Sequence, residues 1–255
     1  MFDIPYDDVD KVQRQSAKAI TFGLIYGKGA SSLAVDLGIS TEEGERLVDK
    51  YYESKPRVRD FIEFTQSKAK RDGYVETMQG NRRNLNEIWN KRTEADALRK
   101  TINTIVQGTG AYFTNLSVIL IQDYIDLRNL KSKLIMTVHD SIVLDTPQEE
   151  YQEMAKVMKY IMENLPIEWT KYNLNGKEIT YPIEADVEIG WNYKDAVGFD
   201  LESIKTFKSL KGYIKFEKDK AKFADYEADN RISKEQMKAG IQAVENSIEA
   251  YRVME

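Results

Sequence analysis

Apolar residues recur at helical spacing through most of the first third of the chain and later give way to alternating and short continuous runs, which predicts a mostly helical α+β protein. A helix is expected over 10–26, stopped by Gly27 and Gly29, and a shorter one over 31–37, closed by Gly38. Ser40 or Thr41 can cap the next, and Leu47, Tyr51, Val58, Phe61, Ile62 and Phe64 predict two helical pieces broken at Pro56. Residues 73–85 change character: β-prone Tyr74, Val75 and Thr77 precede a Gly80-Asn81 turn signal, the pattern of a small hairpin. A long helix follows over 94–126, with Gly108 and Gly110 marking close approach of backbone or ligand. Residues 134–145 hold two apolar, β-branched runs around a polar tip, a second hairpin with buried strands. A helix over 149–165 and an alternating strand over 181–190, ended by Trp191, complete this part. From 197 onward a lysine-rich stretch leads to a helix capped by Ser233 and Gln236, with a narrow seam of Met237, Ile241, Val244, Ile248 and Tyr251.

With 255 residues and 42% apolar content the chain can bury one large core or two small ones. It has no cysteine, which excludes disulfides and thiolate metal sites. Its apolar runs fall short of a membrane span and no signal-peptide core opens it, so a soluble, cytoplasmic protein with no membrane partner is expected. The net charge of -5 weighs against nucleic acid as a partner, but the charges are not evenly spread. Bases gather at 11–28, 82–100 and 205–222 and acids at 42–45 and 149–168, which permits a basic groove on an acidic body.

Three constellations could carry chemistry. Arg14, Lys18, Phe22 and Tyr26 fall at every fourth position, so on a helix they share one face, two cations beside two aromatic rings. Such a face suits a nucleoside triphosphate, with positive charge for the phosphates and flat rings for sugar and base; an ordinary amphipathic helix is the other reading. Orientation favours a ligand, because this face is the one expected to pack and buried cations need an anion or a carboxylate. Arg99, Asn103 and Gln107 repeat the spacing just before Gly108. They are either a solvated helix face or a row of polar forks for minor-groove edges, where every base pair offers an acceptor at a similar place. Finally His139, the one histidine, and Asp140 sit at the tip of the second hairpin. Asp140 is either a turn aspartate or a carboxylate held rigidly for Mg²⁺ beside substrate phosphates; a two-metal site needs at least two carboxylates, and Ser141 cannot be the second.

In order and spacing, RQSAKAITFGLIYG, GYVETMQGNRRNLNEI followed by INTIVQGTGA, and TVHDSIVL resemble the fingers-helix motif, a palm segment and the metal-binding hairpin of family A, DNA polymerase I-like, DNA polymerases. The resemblance covers nearly all of residues 2–193. It implies a right-hand palm and fingers, mostly helical with an antiparallel palm sheet, divided into fingers (1–72) and C-terminal palm (73–196); a charged helical extension (197–255) follows outside the resemblance. It implies that Arg14 and Lys18 hold the triphosphate, that Phe22 packs on the incoming sugar and base, and that Tyr26 closes the nascent-pair pocket. Arg99, Asn103 and Gln107, with the pair Arg82 and Arg83, would contact primer-template DNA. His139 would lie near the primer terminus and Asp140 would be one of two carboxylates holding two Mg²⁺ ions, with Lys18 protonating the leaving pyrophosphate.

The departures are equally specific. The upstream DYSQIELR-like motif that carries the family's other catalytic carboxylate is not in this sequence, nor are a thumb and an exonuclease domain. The expectation is therefore one piece of a split polymerase, inactive until a complementing N-terminal chain supplies motif A and the thumb. Ser141 stands where glutamate is usual and Thr21 where asparagine is. His-Asp-Ser also occurs in phage-type single-subunit RNA polymerases, so a fragment of such an enzyme, or a non-catalytic DNA-binding module, remains an alternative.

Overall fold

A computed structural model describes residues 9 and 11–255, which divide into two compact units, 1–113 and 114–255. The first begins with helix α1 (Lys11–Ile25), followed by α2 (Ala30–Leu37), α3 (Thr41–Ser54) and α4 (Pro56–Asp72). Ile20 and Leu24, one turn apart, pack on Leu33 of α2 and Tyr51 of α3 to form a small core. Because Ile20 lies two residues beyond Lys18, about 200° round the helix, burying it turns the Arg14-Lys18-Phe22 stripe outward: all three are exposed. The expectation that the stripe is the packing face is therefore corrected. Two aliphatic side chains on the opposite face supply the packing.

The turns follow local chemistry. Gly38 caps α2 in the left-handed region at φ 65°. Ser40 starts α3 with a reciprocal capping box, its hydroxyl accepting from the Glu43 amide while the Glu43 carboxylate accepts from Ser40. Pro56 occupies the first turn of α4, where its missing N–H is harmless. Strands β1 (Tyr74–Glu76) and β2 (Arg82–Asn84) pair antiparallel, with Val75 opposite Arg83. Helix α5 (Glu94–Arg128) then runs unbroken through Gly108 and Gly110. A Cβ on Gly108 would lie 2.7 Å from Thr77 Cγ2, so this glycine admits the hairpin, whereas Gly110 faces open space. Among the described residues α5 is long and apolar enough to cross a membrane by length and composition, although its uninterrupted apolar runs are short. The polar interruptions at Gln107, Thr109 and Asn115 are simply averaged into a long helix.

The boundary between the units falls inside α5, whose Ile121 and Ile125 pack on Met154 of α6 (Tyr151–Glu163) in the second unit. Strands β3 (Lys133–Val138) and β4 (Ser141–Asp145) form the expected hairpin, with an irregularity between Leu134 and Met136. Its strands are not buried: Ile135 and Met136 are exposed and β4 is half-buried at most. Apolar runs predict burial only where a second layer exists, and here one face of a two-stranded ladder is covered. Glu150, before α6, is buried and accepts from the Lys131 and Ser132 amides and from the Ser132 hydroxyl at 2.7 Å.

A hairpin that the sequence reading did not anticipate, β5 (Lys171–Leu174) with β6 (Lys177–Thr180), turns on Asn175 and Gly176, both at positive φ. Conversely, the strand expected over 181–190 is reduced to β7 (Glu188–Ile189), paired with β8 (Val197–Gly198). Ahead of it the Ala185 carbonyl accepts from Lys159 and its amide donates to Glu163, so side chains of α6 take the place of a ladder partner. The antiparallel pairings among the described residues thus form four separate two-stranded sheets. The tail continues through α7 (Leu201–Ile204), α8 (Leu210–Ala228), α9 (Lys234–Asn246) and α10 (Ile248–Arg252). Tyr213 of α8 anchors it, donating to the Gly198 carbonyl and accepting from the Asp200 amide, both at 2.9 Å, within a cluster that includes Val197, Ile204 and Leu210. The predicted capping box at Ser233 forms. Helices α9 and α10 pack back on α8: Gly240 meets Phe223, and Phe216 meets Tyr251 edge-on at 5.4 Å between centroids.

Candidate functional site

The exposed face of α1 carries Arg14, Lys18 and Phe22, and the chain turns at Tyr26 while its amide still donates to the Phe22 carbonyl at 3.0 Å. That bond holds the two rings one turn apart in a stack, 6.2 Å between centroids and 12° between planes. Phe22 is 48% exposed, so the stacked pair is open to a ligand on the Phe22 side. Among the described residues neither Arg14 nor Lys18 has an ion-pair or hydrogen-bond partner, whereas Lys28 beyond the turn is paired with Asp36. The four residues therefore form one open surface of two uncompensated cations continuing into two parallel rings. A triphosphate's charge and a nucleoside's flat faces match that order.

The structure brings a second constellation to the end of this surface. Gly27, at φ 79°, closes the turn, and a Cβ there would lie 3.3 Å from Cγ of Arg99 on α5. Arg99 also reaches Asp96 at 3.3 Å and stays exposed, as does Gln107. Asn103 is half-buried, and its Oδ1 has no partner among the described residues. The β1–β2 hairpin docks beside them: Arg83 donates to the Thr104 hydroxyl at 3.1 Å, and the Met78 amide to the Thr109 hydroxyl at 3.4 Å. Adjacent strand residues point to opposite faces, so Arg82 turns away, over the Tyr74 ring at 3.8 Å and onto Glu76 at 3.0 Å. Arg83, Arg99, Asn103 and Gln107 are thus gathered along α5, and Arg82 is committed within its own hairpin. Neither Gly27 against Arg99 nor Arg83 on Thr104 was legible in the sequence; both join segments far apart in the chain with no shared periodicity.

His139 and Asp140 lie in the second unit, at the two-residue tip where Val138 pairs with Ser141. His139 takes φ 55°, a left-handed conformation that favours a tight turn and that histidine tolerates better than branched residues. The Ser141 hydroxyl donates to the Val138 carbonyl at 2.9 Å, so this serine braces the turn. Asp140 is exposed and no described residue pairs with it, which leaves its oxygens open to a hard cation. No group of three or more His, Cys, Asp or Glu suited to a metal occurs among the described residues. Asp140 is one oxygen ligand of the right kind rather than a whole site.

Comparison with known proteins bears on these surfaces. A sequence model of DNA polymerase family A matches residues 1–195. The chain is 38% identical over 236 residues to the DNA polymerase of Bacillus phage SP01, an alignment covering 87% of this chain and 25% of that protein. It is 32% identical over 198 residues to the thermostable DNA polymerase I of Thermus aquaticus, covering 77% of this chain and 22% of that protein. Among solved structures, it is similar to the polymerase domain of Pol1 from M. smegmatis, in complex with DNA primer-template and dNTP, at TM-score 0.62 and 32% identity, over 64% of this chain and 29% of that one. The chain therefore spans a quarter or less of the length of these two polymerases.

Proposed function

The chain belongs to DNA polymerase family A, with the α+β palm-and-fingers fold of that family, and from this premise we propose that it forms the nucleotide-binding face and part of the catalytic centre of a DNA-directed DNA polymerase. The observation that carries the proposal is the open α1 face, where Arg14 and Lys18 stand uncompensated beside the stacked Phe22 and Tyr26. Arg14 and Lys18 bind the triphosphate of a dNTP, Phe22 supports its sugar and base, and Tyr26 borders the new pair. Residues 1–72 act as fingers, 73–196 as the C-terminal palm and 197–255 as an extension. Arg83, Arg99, Asn103 and Gln107 line the path of primer-template DNA, with Arg82 fixing the hairpin from behind.

In the reaction the primer 3'-hydroxyl oxygen bonds to the α-phosphorus, its proton passes to water, and the bond from the α-phosphorus to the α,β-bridging oxygen breaks. Pyrophosphate leaves. Arg14 neutralises charge developing on the departing phosphates, and Lys18 gives its proton to the leaving oxygen; both act chiefly through electrostatics. Bound Mg²⁺ would supply Lewis-acid stabilisation of the attacking and leaving oxygens, and of this chain's residues Asp140 would hold it. His139 lies beside Asp140, near the primer terminus. We assign the second carboxylate to polypeptide outside residues 1–255 that carries the upstream acidic motif and the thumb.

Primer extension tests this reading. The 255-residue chain mixed with a polypeptide bearing the acidic motif and thumb should extend a primer with dNTPs in Mg²⁺, and Asp140→Ala should lower that rate at least about a hundredfold with an unchanged thermal melt. Near-normal extension by the variant would remove Asp140 from catalysis. The lone carboxylate also favours a second reading, a DNA-binding module without chemistry, which predicts primer-template binding but no extension with any complementing polypeptide.

A further inference from the structure

Beyond the residues matched by the family model, α8 presents Lys211, Lys215, Lys218 and Lys222, spaced four, three and four apart and so on one helical face about 16 Å long. These lysines line a groove with Trp191, Ile214 and Asp219. Trp191 is 59% exposed and its indole has no hydrogen-bond or ring partner among the described residues. A large open ring beside a row of ammonium groups joins the two kinds of contact that a nucleic-acid strand uses.

Ion pairing within the chain does not use up the charge. Lys215 and Lys222 both donate to Asp219, at 3.0 and 2.8 Å, Lys218 reaches Asp195 at 2.9 Å, and Lys211 donates to the main-chain oxygen of Glu255 at 2.8 Å. Asp219 is further fixed by the Tyr251 hydroxyl at 3.0 Å, so it splays two lysines along the groove while cancelling one. Four ammonium groups thus face two side-chain carboxylates and the terminal carboxylate of the 255-residue chain, and the remaining positive charge lies beside an apolar wall and an indole with no described partner. A positively charged track with an aromatic platform is what an unpaired nucleic-acid strand needs, since its phosphates follow the charge and an unstacked base covers the ring. A duplex offers no free base face to Trp191, and an acidic peptide would leave the indole uncovered.

We propose that the α8 lysine row and Trp191 form a binding track for single-stranded DNA, built from residues other than those of the primer-template path along α5. The choice of DNA over RNA rests on the polymerase reading; the track itself rests on the groove. It gives the polymerase a hold on unpaired strand that does not involve the nucleotide face.

The test is binding of the whole 255-residue chain to a fluorescent 20-nucleotide oligo-dT, followed by anisotropy across a salt series. Trp191→Ala should weaken binding about five- to tenfold, Trp191→Phe should restore most of it, and an abasic oligonucleotide should be insensitive to either. Lys211→Gln with Lys218→Gln, which leaves all three partners of Asp219 in place, should flatten the dependence of log K on log salt by about 1.4, the single-strand value for two phosphate contacts. Binding is read without dNTP, Mg²⁺ or a complementing polypeptide, so a failure of the catalytic reading is separable from a failure of this one. Equal binding by the parent, Trp191→Ala and the double lysine variant would overturn the track. So would a loss confined to the lysine variant, which marks diffuse charge attraction, or tighter binding to oligo-U than to oligo-dT.

Discussion

Arg14 and Lys18 differ from most of the chain's cations in what they lack. Many lysines and arginines elsewhere sit against carboxylates, such as Lys70 on Glu94 at 2.7 Å and Lys100 on Asp96 at 2.9 Å, where an exposed pair contributes little. On α1 the same groups face solvent with no described partner, so their charge is free for a ligand. Substitution should therefore spare the fold and impair substrate use. Arg14→Ala and Lys18→Ala should each lower kcat/KM for dNTP about ten- to hundredfold in the complemented enzyme, the size of a lost charge-assisted contact of about 1.5–3 kcal/mol. The two should differ in kind: Arg14→Ala raises KM, whereas Lys18→Ala, which removes the proton donor, chiefly lowers kcat. Steady-state primer extension separates them, and equal KM-only effects would deny Lys18 its role as acid.

At the scale of elements, the two glycines of α5 make opposite predictions from one motif. Both sit inside a helix, where glycine costs about 1 kcal/mol relative to alanine. At Gly110 a Cβ meets nothing within 4 Å, so Gly110→Ala should stabilise the chain by about that amount. At Gly108 a Cβ would lie 2.7 Å from Cγ2 of Thr77, whose hydroxyl is held by the Asn81 amide at 3.1 Å and cannot swing away freely. Overpacking of about 1–3 kcal/mol then outweighs the helix gain, and Gly108→Ala should be destabilising. Urea denaturation of both variants checks the signs. The same comparison marks what was legible. Local signals were read correctly: the Ser40 and Ser233 caps, the break at Pro56, and the stripe spacing of Arg14, Lys18 and Phe22. The Asn175-Gly176 turn is equally local, but its polar neighbours hide it from a hydrophobic pattern. Residues 181–187 alternate like a strand but have no ladder, because whether a strand forms depends on a partner and here α6 satisfies Ala185 instead. Which face of α1 packs, and that Arg99 lies on Gly27, depends on α2, α3 and α5, so no window of sequence holds it.

At the scale of the whole molecule, a net charge of -5 conceals carboxylates that are structural and cations that are free. The carboxylates fix where the chain resists acid. Burial alone would raise the Asp219 carboxyl, but hydrogen bonds from Lys222, Lys215 and the Tyr251 hydroxyl outweigh it and hold it down to about 2. Hydrogen bonds from the Ser132 hydroxyl and the Lys131 amide likewise hold Glu150 below the ordinary glutamate value. A carboxyl lowered in the folded state binds fewer protons than in the unfolded chain. Its stabilisation is therefore complete above the unfolded value, near 3.8 for Asp219, and is lost as pH falls toward about 2. Asp219→Asn should accordingly cost about 2 kcal/mol at pH 6, and the gap from the parent should close between about pH 4 and pH 2. Because Asp219 ties α8 to Tyr251 of α10, the loss should appear first as release of the tail helices, read by amide exchange over 210–252. A gap that stays constant with pH would mean that the Asn variant loses packing rather than charge. Oligo-dT binding measured on the same variant connects the two scales, for removing Asp219's charge frees Lys215 and Lys222 and should tighten the strand even as the helix that carries them loosens.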